Sequence, residues 1–310
     1  MSTILVTGGA GFIGSHLCDR LLAEGHRVIA VDDLSTGRIA NLGEARGYGK
    51  EFTFLNMDIR AEGLLALVER HKPQIVMHLA AQCSTEVSMR DPAGDASVNL
   101  TGLLSILEVS LRTGVQKVVF ASSATAIYGE PRKVPVKETS AAGARPLSPH
   151  GVAKKAADDY LRFYQRYRNL DFTALALGTV YGPRQASGAV TAFVDGMLKG
   201  DSPSINGDGN QTRDLVFVDD VVHAFALALD KGSGKLINIG TGLETSINGL
   251  FRLVADITDF GGQPAAGARP QGEPRRMALD IALAGTELGW HPWTHLEDGL
   301  GEMIAYVKGI

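Results

Sequence analysis

Gly8, Gly11 and Gly14 recur at three-residue spacing in TGGAGFIGSHL, between the apolar run ILV and an amphipathic stretch. That pattern suits a strand, a tight turn and a helix start. Gly8 allows the turn, Gly11 lets the backbone approach a pyrophosphate, and Gly14 lets the helix pack closely. A helix beginning at Phe12 and Ile13 would then aim free N–H groups and its positive dipole end at the phosphates. Asp32 ends the next apolar run, RVIAVD. A carboxylate there accepts hydrogen bonds from the adenosine ribose hydroxyls and repels a 2′-phosphate, which favours NAD over NADP. Arg38 stands close in sequence and keeps NADP from being excluded. Asp33, Leu34, Ser35, Thr36 and Gly37 complete this second loop as cofactor-facing candidates.

The elements needed to position such a cradle are legible along the first half of the chain. Short apolar runs at 3–7, 27–31, 52–55, 75–78, 117–121 and 172–177 alternate with helical patterns at 12–24, 64–71, 100–112 and 149–168. Alternation of this kind predicts an α/β fold, a doubly wound parallel sheet of Rossmann type with helices on both faces. After Tyr181 the chain becomes rich in Gly, Pro, Asn and Asp, as in SPSINGDGNQTRD. We therefore expect a cofactor domain over 1–179 and a smaller substrate-binding cap over 180–310. KLINIG at 235–240 is a candidate strand returning to the main sheet, which would interleave the two parts.

The chain has 310 residues and a net charge of −4, with 45% hydrophobic and 21% charged residues. This balance offers no general affinity for nucleic acid or anionic membrane, which needs basic patches. No apolar run is long enough for a membrane span, and Met1 is not followed by a signal-peptide pattern. The two cysteines, Cys18 and Cys83, build neither a disulfide framework nor a zinc site, and no metal is expected. Cys18 falls among apolar helix positions and reads as core. The expected location is cytoplasmic.

Eight segments carry a resemblance. TGGAGFIG, MDIR, HLAAQ, SVNLTG, FASSATAIYG, SPHGVAKKAADDY, TVYGPRQ and RDLVFVDDVV follow one another in the order seen in extended short-chain dehydrogenases/reductases. The branch that the chain resembles is the NAD-dependent nucleotide-sugar epimerases, such as the UDP-glucose and UDP-glucuronate 4-epimerases, and the likeness spans nearly its whole length. It implies that Asp58 and Ile59 flank the adenine, and that Leu79, Ala80, Ala81 and Gln82 line the dinucleotide. It implies that Asn99 holds a helix near the cofactor and that Lys154 hydrogen-bonds the nicotinamide ribose. Arg213 and Arg275 would grip a nucleotide diphosphate, Glu273 the uridine ribose, and Val190 would line the substrate. The planar fork of arginine donors suits a diphosphate. Asp219 and Asp220 read instead as structural groups at a helix start. A homodimer through the helices at 100–112 and 149–168 is also implied.

Two positions depart from the family pattern. Its catalytic pair is a tyrosine and a lysine four residues apart, on one helix face. Lys154 is present, but the tyrosine position holds His150; Tyr160 and Tyr164 lie too far along the helix to replace it. The family reaction oxidises the sugar at C4 while a base takes the O4 proton, giving a 4-keto intermediate that rotates and is reduced on its other face. A neutral imidazole is available at physiological pH for that role. The alternative is an inactivating change, natural or engineered, that leaves a binding protein. The second departure is Ala124, where relatives carry Ser or Thr; Ser123 and Thr125 flank it, and Thr125 is the preferred catalytic hydroxyl. Tyr128 either lines the sugar pocket or packs in the sheet.

The sugar is less closely specified. ATAI before Tyr128 lacks the acidic pair of dehydratases, and Asp32 disfavours an exchanging NADPH. UDP-glucose/galactose and UDP-glucuronate both remain. Thr179, with Arg184 or Ser187 nearby, could meet a C6 carboxylate; alternatively Thr179 is a β-branched packing residue. A UDP-glucuronate oxidase or decarboxylase is a further reading.

Overall fold

A computed structural model describes residues 1–268 and 271–309. Seven parallel strands form the main sheet: β1 (Thr3–Thr7), β2 (Arg27–Asp32), β3 (Phe52–Asn56), β4 (Ile75–His78), β5 (Lys117–Ser123), β6 (Asp171–Leu177) and β7 (Lys235–Ile239). Their spatial order is β7-β6-β5-β4-β1-β2-β3. The chain winds outward from β1 through β2 to β3, then returns to β4 on the other side of β1. The crevice beyond the carboxyl ends of β1 and β4 is therefore a topological switch point, where doubly wound sheets bind ligands.

Both faces of the sheet are covered, so its strands are apolar throughout rather than alternating with polar residues. Ile4, Val6, Val28, Ala30 and Val119 feed one core; Leu5, Ile29, Val31, Val118 and Phe120 feed the other. The first face carries α1 (Phe12–Ala23), whose Leu17, Cys18 and Leu21 are fully buried. The second carries α2 (Leu64–His71), α3 (Gly102–Thr113) and α4 (Pro149–Arg168). These helices match the sequence pattern closely. A π-helical turn, Ser97–Thr101, leads into α3 and was not predicted. Such turns recur beside functional sites.

Residues beyond 180 do more than cover one end. Besides β7, they supply α5 (Ala189–Lys199) and α6 (Val218–Leu227), and Phe193, Phe225, Trp290 and Leu300 share the core of α1. Asp220 is fully buried there and accepts from the N–H groups of Trp293 and Thr294, while its carbonyl accepts the Trp290 indole N–H at 2.8 Å. Its role is structural, as expected. Three two-stranded ribbons complete this part: Thr179–Tyr181 with Leu215–Phe217, Thr212–Arg213 with Thr245–Ser246, and Ser204–Asn206 with Ala265–Gly267. Among the described residues no helix is long and apolar enough to cross a membrane.

Candidate active site

The loop after β1 has the form of a phosphate cradle. Gly8 has φ +70°, and a Cβ there would lie 2.8 Å from the Ala80 backbone nitrogen. Only glycine meets both demands. A Cβ on Gly14 would stand 2.1 Å from the Gly8 carbonyl oxygen, so what Gly14 makes room for is the cradle's own turn. Gly11 is the N-cap of α1; it offers no side-chain cap, and no acidic residue occupies the first turn. The first helical N–H groups, at Phe12 and Ile13, are left for an anion.

Asp32 binds this cradle to the next loop. Its Oδ2 accepts from the Ala10 N–H at 3.0 Å and its Oδ1 from the Leu34 N–H at 2.8 Å. Burial raises its pKa, partly offset by these backbone donors. A Cβ on Gly37 would crowd Oδ1 at 2.6 Å, so Asp33–Gly37 wraps the carboxylate closely. Ser35 N–H caps Asp33 at 2.9 Å within that wrap, and Thr36 lies between it and Gly37. The Gly11 backbone also bonds this carboxylate, so three N–H groups of the two loops converge on it. Across the crevice Leu79 and Ala80 are pinned to Thr7, at 3.1 and 3.2 Å. Ile59 is buried, whereas the Asp58 carboxylate is held below its usual pKa by Arg60, 2.5 Å away.

α4 begins at the side-chain cap Ser148, with Pro149 in its first turn. This start places His150 and Lys154, both about 95% buried, one turn apart on the inward face. Lys154 Nζ donates to the Ala121 carbonyl at 2.8 Å and sits 4.6 Å over the Phe120 ring. Burial lowers its pKa. His150 Nδ1 lies 3.3 Å from Asn99 Nδ2 and 3.7 Å from Asp95 Oδ1. Asn99 also donates to the Gln82 carbonyl at 2.9 Å and to Asp95 Oδ1 at 3.0 Å, and accepts from the Gln82 N–H at 3.0 Å. Asn99 is thus a hub joining the β4 loop to α4. The His150 pKa is lowered to about 4, first by burial and then by the Lys154 charge; the Gln82 carbonyl opposes the shift. The neutral imidazole is the resting form.

At the end of β5, the Ser123 and Thr125 hydroxyls are 3.3 Å apart and Ala124 between them is fully buried. Either hydroxyl faces the same region as the other; Ala124 has nothing to donate. Tyr128 is not a second base: its buried phenol donates to Asn238 of β7 at 2.6 Å, and burial raises its pKa far above the ordinary value. Tyr164 bonds Glu108, and Tyr160 points outward with 39% exposure.

A separate cleft of about 190 Å³ is lined by Gly207, Asp208, Gln211, Arg213, Glu273, Pro274 and Arg275. Arg213 is buried and fixed by the Pro274 carbonyl at 2.9 Å and by Glu273 at 2.5 Å. Arg275 pairs with Asp208 at 2.6 Å. Arg213 and Arg275, expected at a nucleotide diphosphate, and Glu273, expected at the uridine ribose, line one cavity.

Residues 4–240 match the NAD dependent epimerase/dehydratase family. The chain belongs to that family. The UDP-glucose 4-epimerase of Mycolicibacterium smegmatis is 41% identical over 309 residues, covering 98% of each chain. The crystal structure of Thermotoga maritima UDP-glucose 4-epimerase with UDP-glucose superposes with a TM-score of 0.94, at 42% identity and 99% coverage of both chains. UDP-glucuronic acid 4-epimerase from Bacillus cereus, solved with UDP-glucuronic acid and NAD, superposes at 0.91 with 30% identity and 99% coverage of both. The cofactor of this family member is NAD, and the glycine cradle with Asp32 fits it.

Arg184 does not stand free for a sugar carboxylate: its guanidinium is 2.6 Å from Asp19 of α1 and 3.6 Å from Glu44, on the opposite sheet face from α4. Val190 is 2% exposed and packs in the core around α5. Thr179 starts a short strand, its N–H held by the Asp214 carbonyl at 2.7 Å, and its side chain is half-buried.

The sequence reading missed Asp95 and Asp214. Asp214 is fully buried and accepts from Thr241, Gly242 and Leu279, tying three loops together. Asp95 stands four residues before Asn99 in DPAGDASVN, a spacing that places both on one helix face and would have flagged it.

Proposed function

We propose that the chain is a UDP-glucose/UDP-galactose 4-epimerase in which His150 replaces the usual tyrosine as the base at the sugar O4. The observation carrying this reading is the placement of His150. It is buried, neutral, one turn from Lys154 and bonded into the Asn99 hub beside the β4 loop. Bound NAD would accept and return the hydrogen at C4, so the cycle consumes no oxidant. His150 Nε2 would take the O4 proton as the 4-keto sugar forms and give it back on reduction. Lys154 would orient the nicotinamide ribose and keep the imidazole basicity modest. Thr125 or Ser123 would hydrogen-bond O4. Arg213 and Arg275 would grip the diphosphate, with Glu273 placed for the uridine ribose.

The neutral C6 hydroxymethyl substrate is favoured over UDP-glucuronate because Arg184 already answers two carboxylates. A C6 carboxylate would have to compete with Asp19 and Glu44 for it. The relative at 41% identity and the solved structure at 42% are both named UDP-glucose 4-epimerases, in agreement. The purified protein is expected to interconvert UDP-glucose and UDP-galactose with no added oxidant. Preference for UDP-glucuronate in direct competition would reverse the substrate assignment.

A second reading has its own support in Ala124: with the hydroxyl position also altered, the chain would be an NAD- and UDP-sugar-binding protein of low turnover. His150→Tyr separates the two. A working histidine predicts turnover in the variant within about tenfold of the parent, whereas a lesion predicts a gain of roughly a thousandfold.

We also propose a homodimer. Val152, Tyr160, Phe163 and Tyr167 are 58, 39, 49 and 64% exposed and fall in one stripe of α4. Next to it, Pro92, Leu100 and Leu147 line an open apolar groove. Light scattering should give twice the chain mass, falling to one chain mass in Phe163→Glu.

A further inference from the structure

We infer that Asp95 is a positioning residue for His150, holding the imidazole as its Nδ1–H tautomer so that Nε2 is the basic nitrogen. This rests on the reading of His150 as the base.

The inference comes from counting protons around Nδ1. Asn99 Nδ2 is near it, at 3.3 Å, but that amide nitrogen carries two protons and already has two better-placed acceptors, the Gln82 carbonyl at 2.9 Å and Asp95 Oδ1 at 3.0 Å. It has no third proton for Nδ1. The charged group beside Nδ1 is an acceptor, Asp95 Oδ1 at 3.7 Å. A ring nitrogen beside an acceptor carries the hydrogen, which leaves the Nε2 lone pair for the sugar.

Asp95 is built for more than supporting its own turn. It is 2% exposed, and its Oδ1 also accepts from Gln82 Nε2 at 2.8 Å. Its Oδ2 is buried with no hydrogen-bond partner. A buried carboxylate oxygen left unpaired is costly and calls for a reason. When Nε2 takes the O4 proton, the imidazole becomes a cation. Asp95 is then the counter-charge within reach, opposing the Lys154 charge one turn along α4. A tyrosine base starts as the phenolate and becomes a neutral phenol on taking that proton, so no cation forms for Asp95 to answer. Asp95 therefore matters to a histidine at position 150 in a way that it does not to a tyrosine.

Two measurements on the full-length, NAD-loaded protein test this. In histidine-¹⁵N-labelled protein at neutral pH, with the His150 signals assigned by their loss in His150→Phe, the unprotonated ring nitrogen should be Nε2. Asp95→Asn, which keeps the volume but removes the charge, should shift the population toward the Nε2–H tautomer. An Nε2–H ring in the parent, or no change in Asp95→Asn, overturns the inference. In kinetics, Asp95→Asn should lower kcat by about 10- to 1,000-fold with KM little changed. The same substitution in a His150→Tyr background should change kcat less than about twofold. Equal losses in both backgrounds would make Asp95 merely structural and overturn the inference. If His150→Ala keeps parental turnover, the base reading fails instead, and the tautomer spectrum still decides what Asp95 does.

Discussion

Arg213 Nη2 stands 2.5 Å from Glu273 Oε2, joining a β-ribbon residue to a loop 60 positions away at the wall of one cavity. The pair holds the arginine fork in place before any ligand arrives, with one face fixed by the Pro274 carbonyl. Preorganised guanidinium donors lose less entropy on gripping a diphosphate. Arg213→Ala should therefore weaken UDP binding by about 10- to 100-fold, the worth of a charge-assisted hydrogen bond, as read by calorimetric titration with UDP. Unchanged affinity would place the diphosphate elsewhere.

The cradle makes a stability prediction. Gly14→Ala forces a Cβ to 2.1 Å from the Gly8 carbonyl, which backbone cannot yield without moving the turn. The variant should lose its NAD and unfold at lower temperature, with a cost of about 2 kcal/mol or more. Cofactor content after denaturation and a thermal melt together check this. Full NAD content with an unaltered melt contradicts the geometry.

Acid should weaken the fold through the buried histidines. His150, at about 4, and His78, at about 3, both have pKa values lowered from 6.5, chiefly by burial. The unfolded chain takes up protons that the folded chain refuses. Their contribution is complete above pH 6.5 and is lost as pH falls toward 4. For His150 alone it is at most about 3.5 kcal/mol, from a shift of 6.5 to about 4 at ~1.4 kcal/mol per pH unit. Denaturant midpoints should fall across this window, and the fall should be smaller in His150→Phe. An equal fall in both proteins contradicts a neutral, buried His150.

Much of this site was legible in the sequence because its signals are local. Gly8, Gly14 and Asp32 lie within one βαβ unit, where spacing and strand pattern fix their places. Arg213, Glu273 and Arg275 were reachable only through family likeness, since nothing local says that residues 60 apart share a cavity. The ion partners of Arg184, Asp19 and Glu44, were not legible because only tertiary packing brings them to it. Val190 was named only through family likeness, and its burial in the core around α5 was not legible locally. Asp95 was overlooked although its four-residue spacing to Asn99 is a helical signal; its place beside His150 is set only by tertiary packing.

The central claim, that His150 is the O4 base of a UDP-sugar 4-epimerase, is tested most directly by the rate at which UDP-galactose becomes UDP-glucose without added oxidant, in the parent and in His150→Ala. Steady turnover is expected in the parent, and a loss of about 100- to 10,000-fold in the variant with NAD still bound. An NAD-loaded parent that turns over nothing, or a variant as fast as the parent, would contradict it.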